Sequence, residues 1–119
     1  MCVQQLGELQ RSGAVLDALR KEADLYVLNR DEPEASRRLK AMSGISAPVL
    51  LDRELTVARA YDFLPKPGQP MGGMTGVAQM GFVIVDRKGR IRVQRADISF
   101  GSHAGQMLEI VRRLAQEPQ

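Results

Sequence analysis

Residues 81–95, GFVIVDRKGRIRVQR, constrain the fold of this chain more than any other stretch. Phe82, Val83, Ile84 and Val85 are an unbroken apolar run, the pattern of a strand covered on both faces. Asp86-Arg87-Lys88-Gly89 then reads as a type I turn closed by a glycine in the left-handed region, a common tight hairpin connection. Strict alternation follows: Arg90 out, Ile91 in, Arg92 out, Val93 in. A buried strand is thus joined to one with a wet face, placing the first inside a sheet and the second near its edge.

With 119 residues the chain supports one core, and the expectation is a single domain over 1–119. No apolar run approaches the ~20 residues that span a bilayer, so membrane insertion is not expected. The first residues carry neither a basic n-region nor an apolar h-region, and a cytoplasmic address is expected. A net charge of +3 from interspersed acids and bases gives solubility and weak anion attraction, without arguing for nucleic acid. Cysteine occurs once, at Cys2, so an intrachain disulfide and a cysteine-rich zinc site are excluded within this sequence. No metal or cofactor is expected.

Upstream of the hairpin, apolar residues at Cys2, Leu6, Leu9, Leu16 and Leu19 follow helical spacing, interrupted at Ser12-Gly13. Leu25–Leu28 reads as a short buried strand. Asp31-Glu32-Pro33-Glu34 opens a helix, with Asp31 as N-cap, Pro33 in the first turn and Glu34 placed as in a capping box. That helix runs to about Met42 and stops at Gly44. Ala47–Leu51 is extended, and Asp52 caps a short helix whose face is Leu55, Ala58 and Tyr61. Residues 62–80 are rich in Pro, Gly and Met, and so long a connection inside a domain predicts a functional or mobile loop. The last helix covers about Ala104 to Ala115 and packs through Met107, Leu108, Val111 and Leu114. This order predicts an α/β sandwich with parallel and antiparallel strand pairs.

Four pieces in this order resemble one family. Cys2–Gln10 looks like the helix after the CxxC or peroxidatic-cysteine turn of thioredoxin-fold proteins of the alkyl hydroperoxide reductase and thiol-specific antioxidant type. Leu25–Glu34 resembles that family's second strand with its Asp-x-Pro-Glu helix start. Ala47–Tyr61, APVLLDRELTVARAY, is similar to its segment of Pro, apolar run, Asp and short helix. The hairpin FVIVDRKGRI resembles its most recognisable element. The resemblance covers Cys2 to about Leu114 and implies a thioredoxin-like mixed sheet flanked by helices, lacking the first strand. It also implies a redoxin-type activity, reduction of peroxides or disulfides by a thiol, with a thiol or disulfide protein as partner. Cys2 matches the second cysteine of the motif; Met1 precedes it, and the first cysteine is not in this sequence. Met80 stands where the family has a cis-proline or, in peroxiredoxins, an arginine. The expected activity is therefore weak or absent, with a non-catalytic interaction or self-associating domain as the alternative. The strand not present would lie between Leu25–Leu28 and Phe82–Val85. Its neighbours must pair directly or be completed from another copy, and a homodimer is expected.

Cys2 is the candidate catalytic residue: unpaired amides and the positive end of a helix favour the thiolate, against the plainer reading of an inert remnant of the motif. Asp97, Ser102 and His103 suggest a hydrolase triad, but no nucleophile elbow accompanies them, and a capping or solvated histidine is favoured. Met71, Met74 and Met80 could offer thioethers to Cu(I), though methionine serves equally as gap filler. Gly72–Gly76 lacks the lysine and following helix of a phosphate loop. Arg87, Lys88, Arg90, Arg92 and Arg95 form a basic stripe without interleaved aromatics, which reads as protection of a sheet edge rather than a nucleic-acid surface.

Overall fold

Ser12 and Gly13 split the opening helical pattern into α1 (Cys2–Arg11) and α2 (Ala14–Glu22). The computed structural model describes residues 2–30, 32–64 and 80–117, the side chain of Cys2 excepted. The expected loop over 62–80 therefore lies largely outside the described residues. Leu6, Leu9, Leu16 and Leu19, the apolar positions of the two helices, are all buried.

The remaining elements follow as β1 (Val27–Asn29), α3 (Pro33–Ser43), β2 (Val49–Leu51), α4 (Thr56–Ala60), β3 (Gly81–Val85), β4 (Ile91–Ala96) and α5 (Ala104–Ala115). A 3-10 turn, Phe100–Ser102, interrupts the polar loop before α5. β1 begins two residues later than expected, and is half-buried rather than buried. α3 has Glu32, not Asp31, at its N-cap position, with Pro33 as its first residue, and the Glu32 side chain makes no cap bond to the helix. Asp31 itself lies outside the described residues.

Asp52 does cap α4, but from upstream of the helix. Its Oδ1 accepts the Val57 amide at 3.1 Å and its Oδ2 the Ala58 amide at 2.9 Å. A five-residue helix cannot sustain itself, and these bonds satisfy two of its free donors. The reach requires Leu55 to take a left-handed conformation, φ 58, at a cost of ~1–2 kcal/mol for a residue with a Cβ. Leu55 is buried, which offsets that cost.

The parallel and antiparallel strand pairs expected are both present, as two separate ladders. β1 pairs parallel with β2, Leu28 opposite Leu50. β3 pairs antiparallel with β4, Phe82 opposite Arg95, with an irregularity between Ile84 and Val85. The hairpin turn is as expected: the Gly89 amide donates to the Asp86 carbonyl at 3.0 Å, and Gly89 holds φ 79, which a side chain would strain. β3 is half-buried rather than covered on both faces, and Val85 is exposed. Ile91, expected to face inward, is 49% exposed. Both departures have one cause: among the described residues each ladder is two strands wide, so neither β3 nor β4 has a full apolar layer on each side.

Bond directions locate the open edges. The Val27 amide donates to Pro48 O and the Asn29 carbonyl accepts from Asp52, so these residues face β2. The backbone groups of Leu28, between them, point to the opposite edge. In the hairpin Met80 O accepts from the Asp97 amide, so Phe82 and Ile84 face β4, and Gly81, Val83 and Val85 face away. Among the described residues no ladder joins β1 to β3. The gap is not closed by direct strand pairing. Instead α3 lies against α1, with Leu39 in the same buried cluster as Leu6, Leu9, Leu16, Ile45 and Ala47. A second cluster joins Leu19 of α2 to Met107 and Leu108 of α5, with Phe82 packed against it. Val15 and Phe100 touch both clusters and tie the ladders to one helical layer.

Candidate functional site

Cys2 is the first residue of α1, a ten-residue helix with no acidic side chain in its first turn. A thiolate there would meet unpaired amides and the positive end of the dipole, with no carboxylate to oppose it. The side chain itself lies outside the described residues.

The start of α1 is held by the 3-10 turn. The Gly101 amide donates to Gln5 Oε1 at 2.9 Å, and the Ser102 hydroxyl donates to Glu8 Oε2 at 2.7 Å. The approach is so close that a Cβ on Gly101 would fall onto the Gln5 carbonyl oxygen. These contacts join residues more than ninety positions apart, and nothing in local patterning announces them.

Asp97 and His103, named in the triad reading, are brought together. His103 Nδ1 lies 2.5 Å from Asp97 Oδ2, and the Ser99 amide donates to Asp97 Oδ1 at 3.0 Å. Arg95 Nε is 3.8 Å from the same carboxylate. Burial pushes the Asp97 carboxyl up. The hydrogen bonds from His103 and Ser99, with the charges of His103 and Arg95, outweigh burial and hold it below the usual carboxylate range. The third member of the triad is absent from the arrangement, because the Ser102 hydroxyl is engaged by Glu8. Nor does the histidine cap α5: it occupies the N-cap position, but its ring makes no bond to the helix amides. The capping or solvated reading is corrected to a tether, in which His103 and Asp97 fasten the end of β4 to the start of α5.

The basic stripe is largely neutralised. Arg90 Nε lies 2.9 Å from Asp86 Oδ2, and Arg92 makes a two-pronged pair with Glu117 at 2.6 and 2.8 Å. The amide of Arg90 and its guanidinium, with the Lys88 amide, outweigh burial and pull Asp86 down to about 2. Bonding to Glu117 raises the Arg92 guanidinium and lowers the Glu117 carboxyl. Among the three methionines weighed as copper ligands, Met71 and Met74 lie outside the described residues. Among the described residues no group of three or more His, Cys, Asp or Glu side chains could hold a metal ion. No helix among them is long and apolar enough to cross a membrane.

An α/β arrangement with a parallel pair, an antiparallel hairpin and a helical layer, opening on a cysteine at a helix start, is that of a thioredoxin-like redoxin. A family model described as AhpC/TSA family matches residues 1–94, and the chain belongs to that family. The match spans α1 through the body of the hairpin, including the Cys2 position, and stops before Asp97 and His103. No curated protein matches the chain significantly, and no solved structure does.

Proposed function

We propose that this chain is a redoxin-type thiol protein of the cytoplasm whose own residues support weak or no peroxide or disulfide reduction, with Cys2 as the reacting thiol. The observation that carries the reading is family membership over residues 1–94 combined with a single cysteine, at the first position of α1. The chemistry open to such a residue is limited. A Cys2 thiolate can attack a peroxide oxygen, forming a sulfenic acid as the O–O bond breaks and an alkoxide or hydroxide leaves. Returning the sulfenic acid to thiol takes two further thiols: the first condenses with it to a mixed disulfide, releasing water, and the second displaces the Cys2 thiolate and leaves as the other half of a new disulfide. Cys2 is the one cysteine of this sequence, so both reducing thiols come from outside it, and a protein that cycles between dithiol and disulfide is the partner this chemistry fits. Hydrogen peroxide consumption with a dithiol reductant tests the reading. The expected rate is near background; a rate clearly above background that vanishes in Cys2→Ser makes Cys2 a full nucleophile and overturns the weak-activity part.

A second reading, self-association on this scaffold, is favoured by one observation: among the described residues the two ladders stay separate, and no strand pairs with the outward edges at Leu28, Val83 and Val85. Such edges and half-covered faces recruit further chains. Light scattering at micromolar concentration tests it: a homodimer is expected, and a mass of 13.1 kDa would end it.

A further inference from the structure

Parallel strand pairs are almost always covered on both faces, because their connections run over the sheet and their side chains are apolar on either side. The β1–β2 pair is covered on one face only. Val27 and Val49 pack against the buried cluster of α1 and α3. On the other face Tyr26 is 54% exposed, and the register partners Leu28 and Leu50 are each 46% exposed, with Pro48 exposed beside them. These apolar side chains stand on the side of the pair opposite Val27 and Val49, which pack against the core, while Leu51 at the end of β2 is exposed as well.

The charge pattern along the strand says what covers it. Exposure alternates at every residue from Asp24 to Arg30, through β1 and the residues flanking it on both sides, which puts Asp24, Tyr26 and Arg30 on the solvent side with Leu28. That face is acidic at one end, apolar in the middle and basic at the other. Neither Asp24 nor Arg30 has an ion-pair partner among the described residues. Turned by a two-fold axis through its centre, the row meets itself in complement: Asp24 faces Arg30 of the copy, and Tyr26 faces Leu28. Facing sheets sit about 10 Å apart, a distance that an arginine and an aspartate span together at the rim.

We infer that the outer face of β1–β2 is the contact surface of a two-fold homodimer, with Tyr26, Leu28 and Leu50 as its apolar centre and Asp24–Arg30 pairs at both ends. The inference rests on the self-association reading and specifies its surface: the face of the parallel pair, not the open edges.

The test is the dimer dissociation constant of the full chain, by sedimentation equilibrium, with circular dichroism confirming that each variant is folded. Leu28→Glu, which puts two carboxylates near the axis, should leave a monomer where the unaltered chain is dimeric. Asp24→Arg places arginine against arginine at both rims and should raise the dissociation constant about tenfold, since two exposed pairs turn from attraction to repulsion. The double variant Asp24→Arg/Arg30→Asp should return to within about threefold of the unaltered chain, because the complementarity is rebuilt in reverse. A dimer indifferent to all three changes overturns the face and leaves association through the edges standing. Failure of the double variant to restore affinity overturns the two-fold arrangement. A monomeric unaltered chain overturns this surface and self-association together. The charge variants sit at exposed positions, so they decide the question even where Leu28→Glu does not fold.

Discussion

Replacing Asp97 by Asn keeps the shape of the side chain and removes its charge, and this isolates the tether between β4 and α5. The Asp97 side chain is 7% exposed, so solvent contributes little to satisfying its partners. Its carboxylate accepts from the Ser99 amide through one oxygen and from the His103 ring through the other. The asparagine side chain has one acceptor oxygen and can keep only one of these bonds; the other donor then faces an NH2 group. A hydrogen bond to a charged group contributes about 1.5–3 kcal/mol, so the expected loss is about 2 kcal/mol. For a domain of this length that corresponds to roughly 6–10 °C in Tm. The acid dependence supplies the internal control. Because the folded carboxyl titrates below its ordinary value, its stabilisation is complete above the unfolded carboxyl pKa and disappears as pH falls through the folded one. The gap between Asp97→Asn and the unaltered chain should therefore shrink steadily as pH falls below about 4. Urea unfolding followed by circular dichroism across that range measures it. A loss under about 0.5 kcal/mol at pH 7, or a gap that stays flat down to pH 3, would refute the tether.

Two further substitutions address the contacts that position α1 and α4. Gly101→Ala drives a methyl group onto the Gln5 carbonyl and must push the 3-10 turn off α1, at a cost of about 1–3 kcal/mol, read as a lower Tm and lost protection of the amide at position 101. Asp52→Ala removes both acceptors of the α4 amides and should cost about 0.5–2 kcal/mol, with Val57 and Ala58 exchanging fastest among the helical amides.

What the sequence determined by itself was whatever depends on neighbours a few residues away. The bounds of α5, Ala104–Ala115, follow from apolar spacing at Met107, Leu108, Val111 and Leu114. Ser12-Gly13 breaks the first helix, Gly44 follows the last residue of α3, and Asp86-Arg87-Lys88-Gly89 turns the hairpin. Each is a local matter of periodicity or backbone conformation, so a single sequence carries it. The family, too, was legible, because its pieces are short motifs in a set order. Asp52 was partly legible: its role as cap was visible, but its place upstream of the helix depended on Leu55 adopting a left-handed turn.

Only the tertiary structure decided the rest, and the reason is always an interaction distant in sequence. Phe82–Val85 has the composition of a buried strand, yet burial depends on whether a third strand and a second layer are present, and among the described residues the ladder has two strands. Ile91 alternates as an inward residue should, and is exposed for the same reason. Asp97 and His103 could be paired on paper, but whether the histidine capped, faced solvent or bound the carboxylate depended on Ser102 being drawn away to Glu8 in the first helix. The alternation Asp24-Tyr26-Leu28-Arg30 was written in the sequence throughout. It acquired meaning only once the fold had covered Val27 and Val49 with helices and left the opposite face bare, because amphipathic spacing says which residues share a side but not which side is covered.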